Sequence, residues 1–586
     1  VWYEPIPTEL GTIEDTPTLD SLADATPGSE ASIDQGMFRR LGYSGSGSTG
    51  TLQIASRLGE LNCESTTLAR GRLDDDAASQ YIGLIRELPS RKHVDILVRS
   101  FFANVAWQYD VVDEAMFRDE LHLWSHVSYP ALKQGPDYLP IGTRYFPALL
   151  FQVLALALLC QPAQYDDALE DLKYAPGIDF HDLAADYSTA GHRLMCLLGS
   201  RTMPLSKVQA GLLKACFEKS IGSVIESWHT LGSTIRDAQE IGLHLTEPND
   251  ANKLARDELQ PREVETRKKL WLVLHLWDAH MAVVLERPMA TQLDPRIMSW
   301  TSPLTGSLSQ TQHGVTLSPF DFILCGYHAA YKYLGDIHAL ESTGKNAQEA
   351  VKKIHDAVTG NISRLPAWVT STTPSLEYKH QWLPAARETL LTEVYFVLLA
   401  LHRPFISSLP TSRVEALKAA LKMLESQNRL FSQAKPQIYT NFTLVFGTFD
   451  AMVVIAATYL EFPDDNQNLL SASTKSMEWG LARLDAMRSR NTMAGLAYDV
   501  VQGQYLKLLR RTSIPVPPAP DIDGSEDPDK AAQILHDYGR HEVPQTSGTT
   551  VVTQLDLDCP LWQEPVFDIA SQGQPGVFWQ LMDDLT

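Results

Sequence analysis

Apolar residues recur at steps of three and four along most of this chain, and the strict alternation of a half-buried strand is scarce. Leu270, Leu274, Trp277, Met281 and Val284 form one such stripe. Trp228, Leu231, Ile235, Ala238 and Ile241 form another, and Gly242 stands where that helix should end. Val394 to Leu401 and Met452 to Leu460 are apolar on nearly every side, which predicts helices at the centre of a core. Turn residues punctuate the stripes, as at Glu247-Pro248-Asn249-Asp250 and Thr301-Ser302-Pro303. The pattern holds from about residue 81 to 511, shows no repeat of fixed period, and predicts one large all-α body.

The flanks differ. Residues 1–80 are rich in Gly, Ser, Thr, Asp and Pro and read as a turn-rich arm. The stretch Gly42 to Gly50 invites a phosphate-loop reading, but it has no lysine to reach a phosphate. Residues 512–550, with Ile514-Pro515-Val516-Pro517-Pro518 and then an acidic run, read as a linker that buries too little apolar surface to fold alone. Residues 551–586 interleave bulky apolar and acidic residues with no lysine or arginine, the composition of an acidic activation segment. Phe578, Trp579, Leu581, Met582 and Leu585 can share one helical surface and serve as anchors in a coactivator groove, or dock on the chain's own body.

Charge and cysteine usage narrow the class of partner. A formal net charge of −22 repels phosphate, so this chain is a poor candidate for gripping nucleic acid directly. The six cysteines are scattered and form no C-x-x-C pair, so the spacing of a zinc site is missing. They read as reduced core thiols. The apolar runs Phe146 to Cys160 and Leu444 to Leu460 are interrupted by Gln152 and Asp450, and both read as buried helices, not membrane spans.

Candidate chemistry is sparse. His122 and His126 are four apart, but the H-E-x-x-H order is missing and a solvated helix face is expected. His275, Asp278 and His280 lie in the apolar stretch Leu270 to Leu285. Asp278 should be buried there and needs a partner, for which Arg236 and Arg287 are candidates. No catalytic constellation emerges, so no enzyme is expected.

The segment from Trp228 to His244, including Arg236, resembles the middle homology region of fungal-specific zinc-cluster transcription factors. Arg267-Lys268-Lys269-Leu270-Trp271 resembles that family's R-R-R-x-W, Asp278 its helix aspartate, and Glu286-Arg287-Pro288 its G-R-P with Glu in place of Gly. Leu88-Pro89-Ser90-Arg91, Leu365-Pro366-Ala367-Trp368 and Leu401-His402-Arg403-Pro404-Phe405 resemble further family elements in the same order, and the likeness spans about residues 38–460.

The resemblance implies a helical regulatory domain in a nuclear, often dimeric regulator. Its DNA-binding zinc cluster, with two zinc ions held by six cysteines, would lie before Val1 in a longer protein. It also implies a small-molecule effector or partner sensed by the body, with Trp228, Trp271 and His275 as candidate ligand contacts. Coactivators or the general transcription machinery would be met by the tail. A structural scaffold of the same fold without activation function is the alternative.

Overall fold

Helices make up nearly all of the regular structure. The computed structural model describes residues 75–161, 167–199, 203–245, 261–294, 310–311, 314–315, 317–340, 347–372, 374–433 and 439–512. All of them belong to one compact unit. Its longer helices in the first half are α1 (Asp75–Ile85), α2 (Arg91–Asn104), α3 (Glu114–Ser125), α4 (Ile141–Leu159), α5 (Phe180–Leu198), α6 (Leu205–Ser220), α7 (Val224–Glu240) and α8 (Pro261–Leu285). The second half holds α9 (Pro319–Ala329), α10 (Ala347–Ile362), α11 (Leu383–His402), α12 (Pro410–Gln433), α13 (Phe442–Glu461), α14 (Gln467–Met487) and α15 (Thr492–Arg511). Among the described residues the β-structure is one antiparallel pair of two-residue strands, β1 (Gln310–Thr311) and β2 (Gly314–Val315). The all-α expectation therefore holds.

Helix α1 opens at Asp75, inside the stretch read from sequence as an arm. Asp76 stands in its first turn, where a carboxylate favours the positive end of the helix dipole. The arm's glycine-serine stretch, the linker after Thr512 and the acidic-aromatic tail lie outside the described residues.

Helix α4 is the hub of the first half. Every residue from Tyr145 to Leu159 is buried, and α2, α3, α5 and α6 pack around it. Its one polar interruption is satisfied in place. Gln152 Nε2 donates to the Ser188 carbonyl at 2.9 Å, and Ser188 Oγ donates to Gln152 Oε1 at 3.0 Å. Gly191 on α5 permits this crossing, because a Cβ there would stand 2.7 Å from Gln152 Nε2. In the second half α11, α12 and α13 pack in sequence and α15 covers α13. Val394 and Phe396 to Leu401 are buried, as the all-round apolar pattern predicts. The two runs long enough to cross a membrane by composition, α4 and α13, are mostly buried in the bundle. They are core helices, because a span facing lipid would present that surface outward.

Cysteine burial is mixed. Cys216 and Cys325 are buried, Cys160 is partly buried, and Cys196 is exposed, against the expectation of core thiols throughout. Cys196 follows the apolar face of α5 by one residue from Met195, which turns it outward. Cys63 and Cys559 lie outside the described residues.

Candidate functional site

The signature residues form the joint after α8. Asp278 is 3% exposed, but among the described residues no arginine meets it. Its Oδ2 accepts from the Ala290 and Thr291 backbone N–H groups at 2.8 and 2.7 Å, and from Thr291 Oγ1 at 2.7 Å. This corrects the expectation of Arg236 or Arg287. Arg236 is exposed and among the described residues reaches only the Gly232 carbonyl, at 3.5 Å. Arg287 lies over the Trp228 ring, 4.3 Å from its centroid. The chain doubles back after α8, so backbone amides arrive where a guanidinium was expected, and they complete the carboxylate's hydrogen bonding without a second buried charge. Thr291 Oγ1 also meets His275 Nδ1 at 2.9 Å. Glu286, at the family's glycine position, takes φ +52°. The Arg287 N–H then closes the helix end on the Ala282 carbonyl at 3.3 Å.

The other signature pair ties helices together. His402 bridges Ser412 Oγ through Nδ1 (3.1 Å) and His355 Nδ1 through Nε2 (2.9 Å). Burial pushes its pKa down to about 4, and His355 adds to the effect. Arg403 donates to Asp450 Oδ1 at 2.9 Å, which explains the acid inside the apolar run of α13.

A cluster of polar side chains lies where α6, α8, α11 and α13 meet. Lys219, near the end of α6, is 8% exposed. Its ammonium sits 4.3 Å from the Phe442 ring centroid and 4.7 Å from that of Trp277. Among the described residues it makes no hydrogen bond, and no carboxylate comes within 4.0 Å. Glu393 of α11 faces it, with His280 Nε2 3.7 Å from Glu393 Oε2, beyond hydrogen-bond distance. Tyr109 packs edge-on to Trp277 at 5.6 Å. Tyr331 lies over Gly326, where a Cβ would meet its ring at 2.2 Å.

Burial is the largest influence on Glu393, His280, Tyr109 and Tyr331 and shifts the pKa of each against its charged form. Each nevertheless keeps accessible surface, 24% of the side chain for Glu393 and 14% for His280. A narrow crevice of about 30 Å³, with room for a water or two, is lined by Tyr109 and Phe442 but not by Lys219 or Glu393. Burial lowers the Lys219 pKa and raises that of Glu393, and each one's charge opposes the other's shift. Burial also holds His280 well below its usual value, with help from Lys219 and Arg403, so it is neutral.

The sequence candidates for ligand contact are not gathered there. Trp271 is a core side chain at 1% exposure, Trp228 lies under Arg287, and His275 belongs to the Asp278 joint. A surface groove of about 600 Å³ runs along Pro89, Ser90, His93, Tyr187 and Arg193, with Glu87, Asp171 and Asp186 at its walls. None of the three candidates lines the groove or the crevice. Sequence reasoning missed Lys219 and Glu393. Glu393 had a signal, a lone carboxylate inside the apolar run from Leu390 to Leu401. Lys219 had none, since Glu218-Lys219-Ser220 reads as a solvated helix end. His122 and His126 are both exposed, and no cluster of metal-ligating side chains occurs among the described residues.

Comparison with known proteins places these features. Residues 98–299 match the fungal specific transcription factor domain. The chain is 21% identical over 575 residues to the transcription factor xilB of Penicillium rubens, covering 90% of this chain and 82% of that protein. It is 24% identical over 320 residues to the activatory protein CHA4 of Saccharomyces cerevisiae, covering 50% of this chain and 47% of that protein.

Proposed function

Taking as premise that this chain is a transcription regulator carrying the fungal specific transcription factor domain, we propose that its helical body senses a small molecule and controls the acidic segment 551–586. The observation that carries the sensor reading is the grouping of Lys219, His280 and Glu393, titratable side chains that three helices bring together among aromatic rings inside the bundle. The tail, with Phe578, Trp579, Leu581, Met582 and Leu585 among acids, is the segment that meets coactivators or the general transcription machinery. DNA contact is assigned to a zinc cluster holding two zinc ions, a segment the 586 residues do not contain, since they have no C-x-x-C pair. The protein acts in the nucleus, as a homodimer, and without an enzymatic step.

Burying Phe578 and Trp579 against the body or against a partner stabilises either docked state by a few kcal/mol, about the same for both. An effector tips that balance only if it binds one state better. The test tethers residues 551–586 to a heterologous DNA-binding module and reads a reporter. Output well above the module alone supports an activation segment. Output equal to the module alone removes it and leaves a scaffold of this fold.

A further inference from the structure

We propose that the groove between α5, the loop before it and the segment joining α1 to α2 binds a linear aliphatic polyamine. Its ammonium groups meet Glu87, Asp171 and Asp186, and its methylenes lie on Leu183, Tyr187 and Ala190. The site stands apart from the cluster around Lys219 and does not depend on the reading of the body as a sensor.

The space comes first. The groove has a volume of about 600 Å³, inside the range of roughly 300–1,000 Å³ that holds small organic ligands. Its base is apolar, because Leu183, Tyr187 and Ala190 recur at four- and three-residue steps on one face of α5 and are buried. Its walls carry charge mostly of one sign. Glu87 follows α1, Asp171 lies in the loop before α5, and Asp186 sits on α5 itself; all three are exposed. Among the described residues none of them has an ion-pair partner. Asp186 accepts from the Tyr174 hydroxyl at 2.9 Å, a bond that fixes the Tyr174 ring at the groove's edge. Lys173, beside Asp171 in sequence, is taken by Glu170 at 2.9 Å. Arg193, the one guanidinium among the described lining residues, is likewise unpaired and stands seven residues from Asp186, about 10 Å along the helix. Three carboxylates against one guanidinium leave an excess of two negative charges.

The same surface excludes other classes. An anion would meet three carboxylates and one guanidinium. An apolar ligand would strip water from the carboxylates without replacing it. A bare metal ion needs ligands that converge, and no such cluster occurs among the described residues. A monoamine balances one of the two excess charges. A polyamine carries ammonium groups separated by methylenes, so it reaches carboxylates set apart on three segments while its carbon chain covers the apolar base. Each exposed ion pair is weak, so several must act together.

The test titrates the whole chain, residues 1–586, by calorimetry with spermidine, 1,4-diaminobutane, butylamine, tri-lysine and magnesium. The chain's net charge of −22 attracts any cation, so the signature sought is one saturable site. The expected order is spermidine, then 1,4-diaminobutane, with butylamine weaker than spermidine by about tenfold or more. Magnesium at the same concentration should not displace spermidine. Glu87→Gln/Asp186→Asn should weaken spermidine by about fivefold or more, and Arg193→Gln, which removes a like charge, should tighten it by about twofold. These positions are exposed, so the substitutions leave the core intact. Glu349→Gln/Asp464→Asn removes the same amount of charge from exposed positions outside the groove and should leave the site unchanged. The proposal is overturned by the lack of a saturable site, by equal weakening in the two double variants, by weaker binding in Arg193→Gln, or by magnesium displacing spermidine as readily as 1,4-diaminobutane does. Tri-lysine carries the same net charge as spermidine. If it binds more tightly and is lost in Glu87→Gln/Asp186→Asn, the groove takes a basic peptide and the polyamine assignment fails.

Discussion

Asp278 and Thr291 are thirteen residues apart, and a single carboxylate oxygen joins them, accepting from both the Thr291 backbone N–H and its hydroxyl. The Ala290 N–H completes the set. The aspartate thus holds the chain that leaves α8 against the helix it has just left, and it seats Thr291 for His275.

Asp278→Ala should destabilise the chain by about 3 kcal/mol or more, because two backbone donors and a hydroxyl lose a charged acceptor in the interior. Asp278→Asn keeps an oxygen there without the charge and should cost about 1–2 kcal/mol. Urea unfolding of both variants measures this. Midpoints equal to wild type would show that the joint contributes nothing to stability.

Much of the fold was legible because burial is written in composition. The runs around Phe146 and Leu444 gave α4 and α13, and Gly242 ends its helix at φ +75° as the pattern predicts. The burial of Asp278 was legible for the same reason. Its partner was not, since that depends on where the chain turns after Glu286, a tertiary fact. The buried polar cluster was illegible for a stronger reason. Lys219, His280 and Glu393 come from three helices distant in sequence, and only packing brings them to one space.

Glu286 holds a left-handed conformation at the end of α8 that a side chain disfavours and glycine does not. Glu286→Gly should raise stability by roughly 0.5–1 kcal/mol, the relief of strain exceeding the added freedom of the unfolded chain. Loss of the attraction between Glu286 and Arg403 works against the gain and is weakened by solvent at this exposed position. A thermal midpoint below wild type would show that the glutamate is held there by that attraction.

His402 should make stability fall with acid. Its folded pKa is about 4, below the 6.5 of an ordinary histidine, so the unfolded chain takes up the proton first as pH drops. The contribution is full above the ordinary value and is lost progressively down to the folded one. Between about pH 7 and pH 5 the loss is about 2 kcal/mol. His402→Gln, which cannot titrate, should flatten the pH dependence of the urea midpoint by that amount. An unchanged slope would show that His402 is already protonated in the folded chain.

The account as a whole is tested most directly by fusing residues 1–586 to a heterologous DNA-binding module and measuring reporter output. Three forms are compared: the intact chain, a truncation after Thr512, and the double variant Phe578→Ala/Trp579→Ala. The account predicts activation by the intact chain and its loss in both altered forms. Equal output from all three, or none from the intact chain under any growth condition, would contradict a helical body that governs a C-terminal activation segment.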